Sequence, residues 1–210
     1  MVRILLTLTI AVSSLLSLTP VLAQDNPWMV RFRAVHINWD NGQKDGLTTG
    51  AGGVVEAKNL TIPEVDFTYF FTKNVAAELV LTYPQKVDVD VSGGQIGTIK
   101  ALPPSLLLQY HFTDYGAFKP YVGLGVNYTR FTDRDNLMLG GTTRLTVDKS
   151  SFGYAAQVGF DYMVDKNWGF NFDVKYAKIE TDIRVASTGA KAGKLDLSPV
   201  MAGVGVTYKY

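Results

Sequence analysis

Hydrophobic and polar side chains alternate with a period of two over eight separate stretches of the chain. Such alternation is typical of β-strands, because successive side chains of a strand point to opposite faces. The predicted strands span residues 27–37, 60–72, 75–83, 102–112, 119–131, 151–163, 168–180 and 195–210. Each of them is about as long as a tilted strand needs to be to cross a bilayer.

Each predicted strand has one apolar face, and that face tends to end on an aromatic residue. These aromatic residues are Tyr83, Phe112, Tyr128, Tyr162, Tyr176 and Tyr210. The opposite face is rich in glycine, alanine and small polar residues, although glycine weakens a solvent-exposed strand. A soluble β-sandwich is the alternative interpretation. The pattern favours a transmembrane barrel, because glycine suits a narrow interior and aromatic rings at strand ends suit a membrane interface.

Short and long connections alternate between these strands. The short ones read "TKN", "TDYGAF" and "VDKN", and the long ones span 38–59, 84–101, 132–150 and 181–194. Outer-membrane barrels have short periplasmic turns and long extracellular loops. An unpaired strand edge is costly in lipid, so the last strand must pair with the first. We therefore predict an all-β fold, an eight-stranded antiparallel transmembrane up-and-down β-barrel with both termini in the periplasm.

The first 23 residues are predicted to be a secretory signal peptide. They contain one cation, Arg3, then an apolar stretch from Ile4 to Leu18 and a small-residue cleavage pattern that ends at Ala23. A membrane-spanning helix is the alternative, but serine and threonine interrupt the stretch and no basic cluster follows it. The mature chain, 24–210, is predicted to form a single barrel domain.

Composition excludes several classes of function. Without Arg3 the chain has as many basic as acidic residues, so it lacks the charge of a nucleic-acid-binding protein. It has no cysteine, and its two histidines, His36 and His111, lie in different predicted strands, so we predict no metal and no cofactor. We also predict that it is not an enzyme, since there is no G-x-S-x-G element and neither Ser105 nor Ser151 has an evident catalytic partner. A membrane enzyme with catalytic residues near the outer rim remains a distant alternative.

Several segments resemble the outer-membrane protein W family. They are "NPWMVRFRAVHI" at 26–37, "PEVDFTYFFTKNVAAEL" at 63–79, "LPPSLLLQYHF" at 102–112, "KPYVGLGVNYTRF" at 119–131 and "SFGYAAQVGFDYMVDKNWGFNFDVKY" at 151–176. The resemblance covers nearly all of the mature chain. It implies an eight-stranded barrel in the Gram-negative outer membrane, among its lipid and lipopolysaccharide, that passes small hydrophobic molecules through a narrow lumen reached from outside. Some members of the family serve as phage or bacteriocin receptors.

The C-terminal strand resembles the signal that the barrel-assembly machinery reads. The residues that carry this resemblance are Gly205, Tyr208 and Tyr210, and the signal departs from its commoner form by ending in tyrosine instead of phenylalanine. The resemblance implies the barrel-assembly machinery as a partner.

An eight-stranded barrel is only wide enough for its inward side chains to fill, which excludes a wide aqueous channel. Charged and polar inward residues collect in the lower and middle lumen, where they must pair, and we predict that they form a polar plug. The predicted plug consists of Arg31, Arg33, Glu64, Asp66, Glu78, Gln109, His111, Asp161, Asp173, Lys175 and Lys209. Nearer the outside we predict an apolar cup, formed by Val35, Ile37, Ile62, Val80, Leu107 and Met201.

A hydrophobic ligand held above a polar plug would have to leave sideways, between strands. Proline removes a hydrogen-bond donor from the ladder. The candidate prolines, towards the outer ends of three strands, are Pro63, Pro103, Pro104 and Pro199. The alternative is that these prolines merely end strands. The leading functional hypothesis is therefore passive entry of small hydrophobic molecules. Its competitor is a structural or surface-recognition barrel that acts through its loops and has an inert lumen.

Overall fold

The computed structural model describes residues 26–39, 42–45, 55–91 and 94–210. The predicted signal peptide at 1–23 lies outside these residues. The described chain forms sixteen strands: β1 (Trp28–Asn38), β2 (Gly42–Asp45), β3 (Val55–Ala57), β4 (Leu60–Phe70), β5 (Val75–Leu81), β6 (Gln85–Val91), β7 (Gly94–Leu102), β8 (Ser105–His111), β9 (Phe118–Thr132), β10 (Leu137–Leu139), β11 (Thr143–Val147), β12 (Ser150–Met163), β13 (Trp168–Ala177), β14 (Glu180–Val185), β15 (Lys191–Asp196) and β16 (Val200–Lys209). Within the described ranges, no helix is long and apolar enough to cross a membrane.

Eight of these strands close into an antiparallel barrel, which confirms the predicted fold. The order around the barrel is β1, β4, β5, β8, β9, β12, β13 and β16, and β16 returns to pair with β1. The closing ladder runs from Met29 opposite Lys209 to Asn38 opposite Val200. The C-terminal strand therefore ends the chain in mid-alternation because it is a wall strand with a partner on each side.

The outward face of the barrel is apolar. Leu124 is 70% exposed and Phe152 is 73% exposed, and similar aliphatic and aromatic residues occupy the outward positions of the other barrel strands. The inward positions alternate with them and are buried. A surface of this kind is stable when lipid covers it.

The barrel wall continues beyond the barrel at the end opposite the short turns, which we call the loop end. The short connections at 71–74, 112–117 and 164–167 mark the turn end, where the described chain also begins and ends. At the loop end, β3, β6 and β7 extend the wall from β9, and a second sheet forms in the order β10, β11, β14, β15, β2. The segments predicted as long loops therefore contain strands wherever they are described.

The alternation reverses in these extensions, which explains why the sequence pattern placed them outside the barrel. In β6, Val87 and Val89 are buried while Lys86 is exposed, so the apolar side faces inward as in a water-soluble sheet. Together with residues of the upper barrel, these inward side chains form one apolar core. The change of the outward face from apolar to polar marks where the lipid-covered band ends.

Candidate functional site

The lumen holds two layers of buried side chains, a charged layer near the turn end and an apolar layer near the loop end. The register of β1 and β4 explains the charged layer, since Arg31 lies opposite Asp66 and Arg33 lies opposite Glu64. Opposite charges directly across a ladder stabilise a strand pair. Both arginines are almost completely buried.

Arg31 binds two carboxylates from opposite walls of the barrel. Its Nε and Nη2 donate to Oδ1 and Oδ2 of Asp161 at 3.0 and 2.7 Å, a bidentate pair. Its Nη1 donates to Glu78 Oε1 at 2.8 Å and to Thr68 Oγ1 at 3.0 Å. The guanidinium also lies 4.8 Å from the ring centre of Tyr121. Arg31 thus joins strands that are not neighbours in the barrel.

Arg33 lies one inward position higher and contacts further carboxylates. Its Nη2 lies 2.5 Å from Asp66 Oδ2 and 3.0 Å from Glu64 Oε1, and its Nη1 lies 3.3 Å from Asp173 Oδ1. Lys175 completes the cluster, with its Nζ 3.1 Å from the same Glu64 oxygen. The buried cluster therefore contains three cations and five carboxylates, counting Asp161 and Glu78.

Two predicted members pack beside this cluster, and a third lies apart from it. His111 and Gln109 are buried and bond to each other, with His111 Nε2 2.9 Å from Gln109 Oε1. Lys209 is only partly buried, and its Nζ lies 5.3 Å from the ring centre of Phe70. No carboxylate in the described part of the chain pairs with it. Lys209 lies at the turn-end mouth of the barrel, where solvent can hydrate the amine.

The structure also brings uncharged residues into the cluster that the sequence analysis did not select. Tyr121 is fully buried, donates its hydroxyl to Asp173 Oδ2 at 3.1 Å and accepts from Asn171 Nδ2 at 3.1 Å. Thr207 and Gln157 bind Asp161 and Glu78. Tyr121 could have been found, because it is a bulky residue next to two glycines, Gly123 and Gly125, on the inward side of its strand.

Glycine provides the space for that tyrosine. A Cβ at Gly159 would lie 2.6 Å from the Tyr121 hydroxyl oxygen. Likewise, a Cβ at Gly205 would overlap the carbonyl oxygen of Phe32 and lie 2.8 Å from Arg33 Cγ. At Gly159 and Gly205 a larger residue is therefore excluded by the close approach of a neighbouring strand and its inward side chain. Tyr208 and Tyr210, the other residues of the predicted assembly signal, stack edge to face at 4.7 Å at the turn end.

The apolar layer contains all six residues predicted to form the cup. Val35, Ile37, Ile62, Val80, Leu107 and Met201 are all less than 10% exposed. We expected these residues to line a cup open to the outside. Instead, Trp39 and Ile179 pack over them, and the described residues leave a cavity of about 20 Å³. That volume holds about one water molecule.

Three of the four candidate prolines surround one section of the wall. The β4–β5 ladder stops at Val65 opposite Leu81, and the β5–β8 ladder stops at Val80 opposite Ser105. Beyond these pairs, on the loop-end side, Thr82 Oγ1 donates to the Pro63 carbonyl at 3.3 Å.

Pro103 and Pro104 interrupt the wall between β7 and β8 on the other side of this section. Their carbonyls accept bonds from Asn127 Nδ2 at 3.3 and 3.2 Å, and the Pro104 carbonyl also accepts the Tyr128 amide at 3.1 Å, so a side chain supplements the backbone ladder to β9. Pro199 lies elsewhere, buried at the start of β16, where its carbonyl accepts the Ala177 amide at 3.3 Å.

The two histidines lie on different faces of the wall. His36 is exposed on the outer face, with its Nδ1 2.9 Å from Thr61 Oγ1, whereas His111 is inside. Among the described residues, no group of three or more histidine, cysteine, aspartate or glutamate side chains is arranged to hold a metal ion.

The model of the OmpW family matches residues 26–210. The outer-membrane protein y4mB of Sinorhizobium fredii is 43% identical over 88% of this chain and 80% of its own length. Outer membrane protein W of Vibrio cholerae is 33% identical over 96% of this chain and 97% of its own length. Among solved structures, that of OprG from Pseudomonas aeruginosa superposes with a TM-score of 0.74 at 31% identity, and covers 89% of this chain and 97% of OprG.

Proposed function

Because the chain belongs to the OmpW family of outer-membrane β-barrels, we propose that it passively admits small hydrophobic molecules through the outer membrane. The observation that carries this proposal is the position of the apolar layer, which lies directly over the charged cluster and beside the wall section where the ladders stop. In this proposal cargo enters at the loop end, reaches the apolar layer and leaves sideways into lipid. The protein carries out no chemical reaction on its cargo.

The charged cluster is the reason that the path turns sideways. A hydrophobic molecule that moved straight towards the turn end would have to separate Arg31 from Asp161 and Glu78, all three of which are fully buried. Breaking a buried ion pair leaves an uncompensated charge and costs about 3–5 kcal/mol. An apolar molecule offers no polar group to replace the lost partner, so the cluster acts as a plug.

The wall section beside Pro63, Pro103 and Pro104 supplies the proposed lateral opening. Outer-membrane barrels are held closed by backbone hydrogen bonds between strands, and unsatisfied backbone groups are costly in lipid. At this section the Thr82 side chain provides the bond between the β4 and β5 sides, whereas on the β9 side Pro104 keeps a backbone bond from the Tyr128 amide. Side-chain bonds can be broken and re-formed by rotation without moving a strand, so the wall is easiest to part here. Pro199 does not border this section.

A cavity of about 20 Å³ is too small for a hydrophobic cargo. Passage therefore requires side chains to move, and Trp39 is the largest that covers the layer. Its indole Nε1 donates to the Lys58 carbonyl at 3.0 Å, a single bond at the edge of the apolar core. We infer that Trp39 moves aside when cargo enters.

The lateral opening can be tested with engineered disulfides, because the native chain has no cysteine. The variant P63C/Y83C places one cysteine on each side of the section. Each cysteine lies two residues beyond the Val65–Leu81 pair, in the direction of the loop end. The matched control, V158C/V174C, joins two residues that face each other in an intact ladder. Uptake of an alkane-like fluorescent probe into vesicles that contain the barrel is measured before and after oxidation, with a polar sugar as the reference.

We expect oxidation to slow probe uptake several-fold in P63C/Y83C, reduction to restore it, and the control to keep its rate. Unchanged uptake in the cross-linked variant would reject the lateral opening while leaving passage intact. If vesicles with the wild-type barrel took up the probe no faster than empty vesicles, passage itself would be rejected.

The second candidate is a structural or surface-recognition barrel with an inert lumen. The close packing of the apolar layer favours it, as does the second sheet at the loop end, which presents a folded surface that a phage or bacteriocin could recognise. This candidate would be supported if vesicles with the wild-type barrel took up the probe no faster than empty vesicles.

The orientation and partners belong to the same proposal. The termini and short turns face the periplasm, the loop end faces outward, and the barrel-assembly machinery reads Gly205, Tyr208 and Tyr210. Lipid and lipopolysaccharide surround the barrel. Single cysteines at Thr188 of the loop end and Lys166 of the turn end report the orientation, because only the T188C variant should react with a membrane-impermeant reagent on intact cells.

A further inference from the structure

A groove of about 730 Å³ lies on the outside of the barrel at the loop end, where β9 and β12 leave the lipid-facing band. The residues that the argument uses are Tyr128, Arg130, Asp133, Arg134, Lys149 and Ser150. The groove is separate from the lumen, because its wall is the outward side of β9 together with the segments that follow β9 and precede β12.

The groove lies at the level of lipid headgroups. Tyr128 and Phe152 face each other across the β9–β12 ladder, both outward and at least half exposed, as expected of an aromatic girdle at the membrane interface. Arg130 is the next outward residue of β9 and lies opposite Ser150. Two residues along a strand advance ~6.8 Å. The headgroup layer is ~5–7 Å deep on each side of the hydrocarbon core, so the guanidinium of Arg130 reaches it.

Three cations, Arg130, Arg134 and Lys149, and two carboxylates, Asp133 and Asp135, line the groove, which gives it a net charge of +1. Asp135 accepts a bond from Thr146 Oγ1 at 2.5 Å. Asp133 is paired with Lys100, whose Nζ lies 2.6 Å from Asp133 Oδ2. Among the described residues, neither Arg130 nor Lys149 forms an ion pair with a carboxylate. Lys178 at the end of β13 provides a contrast, since Glu180 and Asp196 lie within 2.8 and 2.5 Å of its Nζ. The cations of the groove are thus available to an anion from the membrane.

One side of the groove is also fixed in place. Nη1 of Arg134 donates to the Val147 carbonyl at 2.8 Å and to Thr146 Oγ1 at 3.2 Å. These bonds hold the segment after β9 against β11, the strand that leads to Lys149. Preorganisation of this kind reduces the entropy lost when a ligand binds.

We propose that this groove binds the phosphate of a phosphorylated glycolipid in the outer leaflet, with Arg130 and Lys149 as the phosphate ligands. Arginine presents paired donors that match a phosphate, and lysine adds a compact charge. The apolar side chains of Tyr128 and Phe152 lie directly below, where the acyl chains of such a lipid would run. This inference rests on the outward orientation of the loop end given above, but not on passage through the lumen.

The test compares retention of lipid A that carries two phosphates with retention of the same lipid after enzymatic removal of its phosphates. Native mass spectrometry of the detergent-solubilised full chain counts the bound lipid. The variants are R130Q, K149Q and R130Q/K149Q, and the matched control is K166Q, an exposed lysine at the turn end. A charge-assisted contact to phosphate is worth a factor of about ten in affinity. We expect the wild type and K166Q to prefer the phosphorylated lipid by at least that factor, and the double variant to lose the preference.

Three outcomes would overturn the proposal. They are a wild type without phosphate preference, a double variant that keeps it, and phosphatidylglycerol retained as well as lipid A. Release of the lipid by inorganic phosphate alone would mean that the groove is a free-phosphate site. If T188C were unreactive on intact cells while retention behaved as expected, the orientation would be wrong and the groove would still bind phosphate. If the wild-type barrel did not speed probe uptake into vesicles, the conclusion about phosphate binding in the groove would not change.

Discussion

Replacing Arg31 by methionine should be one of the most damaging single changes in the lumen. Arg31 is fully buried and makes a bidentate pair with Asp161 and a bond to Glu78. Methionine leaves both carboxylates without their main cation, and the cluster changes from three cations and five carboxylates to two and five. Unpairing a buried charge costs about 3–5 kcal/mol. A single charge pair about 4 Å apart at an effective dielectric constant of 20 gives a similar figure, about 4 kcal/mol.

The measurement is urea unfolding of the barrel in lipid vesicles, followed by tryptophan fluorescence. We expect R31M to lower the free energy of unfolding by about 3–5 kcal/mol without changing the slope of that free energy against urea. The double variant R31M/D161N removes one of the stranded carboxylates, so it should lose less than the sum of the two single variants. The surface variant R130Q should change stability by less than about 0.5 kcal/mol.

The reasoning fails if R31M costs less than about 1 kcal/mol, or if the two single effects simply add. Additivity would mean that Arg31 and Asp161 do not interact energetically. The buried cluster would then fill space and could not act as the plug on which the sideways path depends.

Two further changes test the close packing of the walls and the ion pairs at the loop end. G125A should cost about 3 kcal/mol or more, because the added methyl overlaps the backbone carbonyl oxygen of Leu106. In G203A the methyl's nearest neighbours are side chains at 3.2 and 3.4 Å, and the nearest backbone atom is 3.9 Å away, so this change should cost less than about 1 kcal/mol. Equal costs in the same urea assay would contradict this. Hydrogen bonds from Lys178 and then Lys194 lower the pKa of Glu180 to about 2. Because the folded pKa is depressed, the stabilisation is present above the ordinary pKa of 4.5 and is lost as the pH falls towards 2. The protection factors of the amides in β14 and β15, which are exchange rates corrected for the intrinsic pH dependence of exchange, should therefore fall over that range. An E180Q variant with the same pH dependence of protection as the wild type would refute it.

The barrel could be predicted from sequence because a strand has only two faces. Parity alone separates Leu106 and Leu108, which are exposed to lipid, from Leu107 and Gln109, which are buried. The apolar character of the outward side is what distinguishes lipid from water as the surroundings. Beyond the barrel the apolar side chains face inward and the polar ones outward, as in β6. Strands predicted from apolar outward faces therefore end with the barrel, and these extensions were predicted as loops.

The positions of the inward charged residues along their strands could also be predicted from sequence. Which of these residues pair with one another could not. Arg31 and Asp161 are 130 residues apart in sequence and lie on strands that are not neighbours, so their bond depends on the stagger of the closed barrel. The alternation of side chains places Lys209 on the inward side of its strand, like Arg31. Lys209 nevertheless lies at the turn-end mouth of the barrel and forms no ion pair within the described residues. Tyr121 joins the cluster because Gly159 across the wall leaves room for its ring.

Side-chain alternation and connection length are local properties, so they were enough to predict an eight-stranded barrel with apolar outward faces and a charged interior. How tightly the apolar layer of that interior is packed could be learned from the folded structure alone. Trp39 and Ile179 reach the apolar layer from beyond the lipid-covered band, and they close the cup that the barrel strands alone would leave open. The physical reason is that packing depends on volumes brought together from distant segments, and a periodic pattern contains no information about which distant segment fills a given space.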